Sequence, residues 1–305
     1  MGSNFVVKQV ELAGKAVAPL GEEQVAGDLR HYALLLSYEG AAFHGWQDQD
    51  NALTVQAVLR SAWRDLSGED LHFQGSSRTD AGVSARGHVS NFASRSPIPS
   101  DRLARVLNGY LPATVRVREV RPVSPDFHAR YQAGGKLYVY RLFNQPYASA
   151  LLGRLTCHAP QKLNLEAMQE AADYLCGEHD FTAFMDQGSV VRKTKRRLDR
   201  LEVIPDPLLP VLNLVCLGPA FLYHQVRILA GSLYYVGQGK LKLATVKRAL
   251  ADKDRKLLGK TMPPQGLCLE RVFYPQAVFG QDSLEDYAYL RQASRQELWQ
   301  QIRLG

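Results

Sequence analysis

Cysteine is scarce in this sequence, and long hydrophobic runs are missing. The four cysteines lie far apart and form no Cys-x-x-Cys pair, so neither a zinc site nor a disulfide framework is indicated. No segment approaches the roughly 20 apolar residues of a membrane helix. The first thirty residues mix Glu and Asp into short apolar pieces, unlike a signal or transit peptide. We therefore predict a cytoplasmic protein without a membrane anchor.

Several catalytic motifs are also missing. The sequence has no Gly-x-x-x-x-Gly-Lys-Ser/Thr loop, no His-Glu-x-x-His and no Gly-x-Ser-x-Gly, and its eight histidines are scattered. What is present is a globular composition, with 46% apolar and 22% charged residues. The net charge of +7 favours an acidic partner, with nucleic acid the first candidate and a membrane surface the second.

The stretch from Gly75 to Phe92 holds an Arg and an Asp two positions apart in a loop of small residues. Side chains two apart point the same way on an extended backbone, so Arg78 and Asp80 would face one cleft. Gly82 would allow a tight turn just behind the acid. The alternative is a surface turn with an incidental ion pair.

The periodicity of the chain predicts an α+β fold. Tyr32 to Tyr38 is typical of a buried strand, and the apolar spacing after Thr54 predicts an amphipathic helix that ends at Gly68. The order strand, helix, strand, strand, helix, strand is that of a ferredoxin-like unit, and the second half of the chain repeats it. We predict two such halves, with mixed, mainly antiparallel sheets flanked by helices, around a basic central cleft. The predicted divisions are residues 1–30 (extension), 31–132, 133–278 and 279–305 (peripheral helical tail).

The apolar run from Phe221 to Val236 predicts one long helix, which Arg227 interrupts. A guanidinium among apolar residues must extend to solvent or find an acid.

Five motifs resemble those of the TruA family of tRNA pseudouridine synthases. The first, Arg-Thr-Asp-Ala-Gly-Val, carries the residue that is the nucleophile in that family, here Asp80. The others occupy residues 38–47, 127–131, 136–140 and 221–233. Ser77 stands where the bacterial form of the family usually has Gly, and Ser84 stands where it often has His. Serine at both positions resembles the eukaryotic branch.

The resemblance assigns roles to individual residues. It implies that Asp80 attacks, that Arg227 pairs with it, and that Tyr138 contacts the target uracil and takes part in proton transfer. It implies that the target uridine is flipped out of the RNA helix and that the Arg78 side chain fills the gap that the base leaves. It also implies no metal or cofactor, a homodimer with tRNA across both subunits, and modification on the 3′ side of the anticodon stem-loop. Whether Asp80 attacks C6 of the base or C1′ of the ribose stays open.

Two basic stretches are the predicted RNA contacts. The resemblance places RNA binding on Arg192 and Arg196 and on Phe127, His128, Ala129, Arg130 and Tyr131. The positive charge of the run from 192 to 197 adds Lys193 and Lys195. A basic run is also typical of a solvated loop. Two other functions stay open at this point. One is an RNA-binding protein without catalysis, and the other is a metal-dependent nuclease that uses acids such as Asp80 and Asp126.

Overall fold

The computed structural model describes residues 28–186 and 191–303. This part of the chain has a mixed α/β fold with one large mixed sheet, a small two-stranded sheet and seven α-helices. The predicted extension lies almost entirely outside the described residues. None of the helices in the described ranges combines the length and apolar character that crossing a membrane requires.

The secondary structure runs along the whole described chain. The strands are β1 Arg30–Tyr38, β2 Gln74–Gly75, β3 Ser84–Ser94, β4 Val115–Pro122, β5 Gly135–Phe143, β6 Cys157–His158, β7 Gly177–Asp180, β8 Lys195–Leu198, β9 Arg200–Pro205, β10 Val211–Gly218 and β11 Leu267–Phe273. The helices are α1 Val55–Ser67, α2 Ser100–Asn108, α3 Leu165–Leu175, α4 Gln225–Gly237, α5 Leu243–Asp252, α6 Leu284–Gln292 and α7 Arg295–Ile302.

The large sheet has the strand order β4-β1-β3-β11-β5-β10-β9, with β2 beside β3 and β6 beside β5. Most neighbours are antiparallel, whereas β11 pairs with β3 in parallel through Cys268 and Leu269. Strands from the two parts of the chain therefore meet at β3 and β11. The loop that carries Asp80 enters the sheet there, because it leads directly into β3.

Local signals in the sequence explain where α1 begins and ends. The Thr54 side chain accepts a hydrogen bond from the Ala57 backbone N–H, and Gly68 ends the helix in the left-handed conformation at φ 77°. Both predicted limits are confirmed. The helix buries Leu59 and Trp63 in the core, which orients it against the sheet.

Helices α6 and α7 cover one face of the sheet. Alternation along β5 sends Leu137 and Val139 to this face and the neighbouring tyrosines to the other. The fully buried Leu298 and Ile302 of α7 pack in the same apolar cluster. The sequence correctly predicted a helical tail, but the interpretation of it as peripheral is wrong, because its side chains complete a core.

An ion pair is buried beneath these helices. Arg141 and Glu270 lie 2.8 Å apart with their side chains 2% and 3% exposed, and Arg86 approaches the same carboxylate at 3.2 Å. The Arg141 guanidinium also donates to the carbonyl of Ile302 at 2.7 Å. The last turn of α7 is therefore tied to the centre of the sheet.

Candidate active site

A cleft of about 540 Å³ opens beside the Asp80 loop. Its walls come from three places: the loop before β3, the start of β5 and the segment before α4. The charged and hydroxylic residues that face it include Arg78, Asp80, Arg130, Lys136, Tyr138 and His224. The structure thus brings together residues that are far apart in sequence.

The loop alternates as an extended backbone requires. Arg78 is exposed, Thr79 is buried and Asp80 is partly buried, so the first and third side chains share the cleft. The Thr79 hydroxyl lies 2.8 Å from the Tyr38 hydroxyl, and the Thr79 carbonyl accepts from the backbone N–H of Trp46. The buried residue therefore anchors the two that face outward.

Two glycines let the segment after β1 press against this loop. A Cβ on Gly40 would lie 2.2 Å from the carbonyl carbon of Val83, and a Cβ on Gly45 would lie 2.5 Å from the carbonyl oxygen of Thr79. Gly45 also has a left-handed φ of 92°. The Ser84 hydroxyl accepts from the Gly40 N–H at 2.9 Å. The motif at residues 38–47 thus packs closely against the Asp80 loop and fixes its shape.

A buried histidine supports the same loop from below. His88 is fully buried, and its Nε2 lies 3.0 Å from the carbonyl of Ser77. The Trp46 ring, itself buried in the core, stacks on it at 3.9 Å. Burial lowers the pKa of His88 to about 3, so the ring is neutral at physiological pH and Nε2–H donates to Ser77.

Asp80 meets two nitrogen-bearing side chains. Arg227 Nη1 lies 3.2 Å and His224 Nε2 lies 3.3 Å from the same oxygen, Asp80 Oδ2. The Arg227 Nε donates to the carbonyl of Met262 at 2.7 Å, which fixes the guanidinium. The sequence left two possibilities for Arg227, extension to solvent or pairing with an acid. In the structure it pairs with an acid, Asp80.

The helix that carries Arg227 is shorter than the sequence predicted. It begins at Gln225 rather than Phe221, because His224 adopts a left-handed backbone with φ 59°. His224 Nδ1 lies 2.7 Å from Asp186 Oδ2. The sequence interpretation missed both His224 and Asp186. The position of His224 three residues before Arg227, one helical turn away, was the available signal for the histidine.

Tyr138 faces the cleft beside Asp80. Its hydroxyl donates to Ser77 Oγ at 3.4 Å, and Phe221 packs edge-on against its ring at 5.2 Å. Burial raises the pKa of Tyr138 to about 12, and the negative charge of Asp80 adds to the effect, so the phenol carries its proton at neutral pH. Tyr140, two positions along, donates instead to the carbonyl of Pro263 and does not line the cleft.

The five predicted RNA contacts at residues 127–131 divide into two groups. Arg130 and Tyr131 are exposed, and Arg130 also lines the cleft. His128 Nδ1 accepts from the backbone N–H groups of both, which shapes the turn. Ala129 is fully buried and Phe127 packs on Tyr274 at 5.3 Å. These last two anchor the turn to the core.

The basic segment before and within β8 lies on the surface. Arg192, Lys193 and Lys195 are exposed, whereas Arg196 is half-buried and donates to the backbone carbonyls of the two lysines. Val191, at the start of this segment, lines the same cleft as Asp80. The basic segment therefore begins at the edge of the cleft.

Comparison with known proteins gives one consistent picture. A family model described as tRNA pseudouridine synthase matches residues 35–132 and 171–275. Among curated proteins, one from Ruminiclostridium cellulolyticum is 43% identical over 246 residues, one from Acetivibrio thermocellus is 40% identical and one from a Thermoanaerobacter species is 39% identical. Each bears the name tRNA pseudouridine synthase A, and each alignment covers 81% of this chain and the whole of the relative.

Proposed function

This chain belongs to the tRNA pseudouridine synthase family and is an isomerase that acts on tRNA, and on that premise we propose that Asp80 is its nucleophile. The observation that carries the proposal is the position of Asp80, held by Arg227 in a cleft that Tyr138 also lines. The Arg227 guanidinium lies 3.2 Å from Asp80 Oδ2 and places a positive charge beside the carboxylate. A carboxylate held in this way can act as a nucleophile.

The reaction is a rearrangement without a change of oxidation state. The bond from C1′ to N1 of uracil breaks, a bond from C1′ to C5 forms, C5 loses a proton and N1 gains one. Asp80 serves as a temporary covalent partner for C6 of the base or C1′ of the ribose. The neutral Tyr138 phenol supports the proposed contact with the uracil and part in proton transfer, because it can donate and accept a hydrogen bond.

Base flipping provides access to a stacked uridine. Extruding a base from an RNA helix costs a few kcal/mol, and a side chain that fills the gap offsets part of that cost. We assign this role to Arg78, which is exposed and on the same side of the loop as Asp80. The stacked position and the extruded nucleotide would then lie at neighbouring points of one cleft.

The backbone of the tRNA would be held by cations around the cleft. Arg130 and Lys136 line it, and the exposed Arg192, Lys193 and Lys195 extend from its edge, with Arg196 behind them. Tyr131 offers an exposed aromatic face, while Phe127, His128 and Ala129 hold the turn that presents it. We propose that these residues belong to a basic cleft between two ferredoxin-like halves, residues 31–132 and 133–278.

Titration of Lys136 gives a test of the phosphate contact. Burial lowers its pKa to about 8, with Arg130 contributing in the same direction. Below that pH the charge is present, and above it binding to phosphate requires proton uptake. We expect the Kd for tRNA to rise by up to about fivefold from pH 8 to pH 9. Filter binding at constant salt measures this Kd.

Lys136→Arg is the control, and it should flatten the dependence of Kd on pH, since a guanidinium stays charged. Equal slopes in both proteins would refute the contact.

We place the modified uridines on the 3′ side of the anticodon stem-loop and propose a homodimer, both on the family resemblance. The scattered cysteines support a cytoplasmic location. Pseudouridine mapping on tRNA transcripts tests the site of modification. Product should appear only at uridines on that side, and a transcript with cytidines there should give none. Product at other uridines would overturn the assignment.

The nuclease alternative has little support, because Asp126 lines a different cavity from Asp80.

A further inference from the structure

The ring of His224 lies between two carboxylates. Its Nε2 is 3.3 Å from Asp80 Oδ2 and its Nδ1 is 2.7 Å from Asp186 Oδ2, with the side chain 16% exposed. Carboxylate oxygens only accept hydrogen bonds, so the ring makes both contacts well only when both nitrogens carry protons. The arrangement therefore suits an imidazolium that links the two acids.

The backbone at His224 is held in an uncommon conformation. Its φ of 59° lies in the left-handed region, where residues other than glycine are uncommon although His is tolerated better than most. Such strain persists where the surroundings enforce it, and it clusters at functional sites. Here the conformation makes the helix begin only at Gln225, and the His224 ring stacks on that of Tyr223 at 3.8 Å.

Asp186 is itself fixed on its far side. Thr261 Oγ1 donates to it at 3.0 Å and the Arg255 guanidinium approaches at 3.6 Å. Burial alone would raise the pKa of Asp186, but hydrogen bonds from His224 and Thr261 outweigh it and the pKa is lowered. Asp186 therefore stays ionised at neutral pH and provides a fixed acceptor for His224.

We infer that Asp186 and His224 are positioning residues that orient the carboxylate of Asp80 for attack. His224 and Arg227 both contact Oδ2, which leaves Oδ1 as the oxygen directed at the nucleotide. The inference rests on the proposed role of Asp80 as nucleophile. Asp186 does not line the cleft, so its loss acts on the chemical step rather than on tRNA binding.

Asp186→Asn tests the inference with little change of shape. We expect kcat to fall about tenfold and KM for tRNA to stay within about twofold, because a charge-assisted hydrogen bond is weakened away from the RNA.

A second variant and a control complete the experiment. His224→Asn keeps a residue that tolerates the left-handed backbone but cannot span both carboxylates, and adding Asp186→Asn to it should cost nothing further. Asp70→Asn, which removes a carboxylate from an exposed pair with Arg60, should behave as wild type. A wild-type kcat for Asp186→Asn would overturn the positioning role. Activity in Asp80→Ala would instead overturn the proposed nucleophile, so the two failures are distinguishable.

Discussion

Asp80→Ala is expected to lower the rate of pseudouridine formation by at least about a thousandfold, as loss of a covalent nucleophile typically does. The affinity for tRNA should change little, because the cations that face the phosphates remain in place. The side chain is 21% exposed and contacts both Arg227 and His224, so its removal leaves both without their shared carboxylate. Asp80→Asn keeps the shape of the side chain and separates this local effect from the loss of the nucleophile.

Tritium release from tRNA labelled at uracil C5 measures the reaction directly, since C5 gives up its hydrogen only when the new bond forms. Filter binding on the same preparations measures affinity. Asp126→Ala is the matched control, because Asp126 lines a different cavity, and it should react at the wild-type rate. Wild-type tritium release by Asp80→Ala would contradict the assignment of Asp80.

The largest expected effect on stability is that of Glu270→Ala. The change leaves the guanidinium of Arg141 buried, 2% exposed, without its carboxylate. Breaking a buried pair by removing one partner costs about 3–5 kcal/mol of the free energy of unfolding. Arg86 loses the same acceptor but is partly exposed and can turn to solvent, so it contributes less.

Urea denaturation followed by circular dichroism measures this cost. Glu119→Ala removes the acid of an exposed pair with Arg121 and should cost less than about 1 kcal/mol. The double variant Arg141→Met with Glu270→Leu replaces the pair by apolar groups and should recover most of the stability. If Glu270→Ala unfolds at the same urea concentration as Glu119→Ala, the buried pair does not stabilise the fold as argued.

Some of the structure could be predicted because its causes are local. The limits of α1 follow from a capping Thr54 and a terminal Gly68, each of which acts on backbone groups within one turn. The shared orientation of Arg78 and Asp80 follows from an extended backbone. The approach of Arg227 to Asp80 was not local, since the two are 147 residues apart, and only the family motif predicted it.

Other features depend on contacts that no local pattern encodes. The packing of α7 on the sheet requires the positions of β5 and β11, which are set by strand order rather than by the sequence of α7 itself. The contact between Asp186 and His224 joins residues 38 positions apart across two segments without regular structure. The late start of α4, at Gln225 rather than Phe221, arises from one backbone angle at His224 that helical periodicity does not reveal.

The neutral His88 under the active-site loop makes the protein sensitive to acid. In the unfolded chain this ring takes up a proton near pH 6.5, whereas in the folded protein its pKa is about 3. The unfolded state therefore binds more protons between these values. The free energy of unfolding falls by about 1.4 kcal/mol for each unit by which the pH is lowered over that interval. Above pH 6.5 the contribution is constant. Loss of activity in mild acid would thus report loss of the packing around His88 that supports Ser77. A change of activity at alkaline pH would instead report titration of groups in the cleft, such as Lys136.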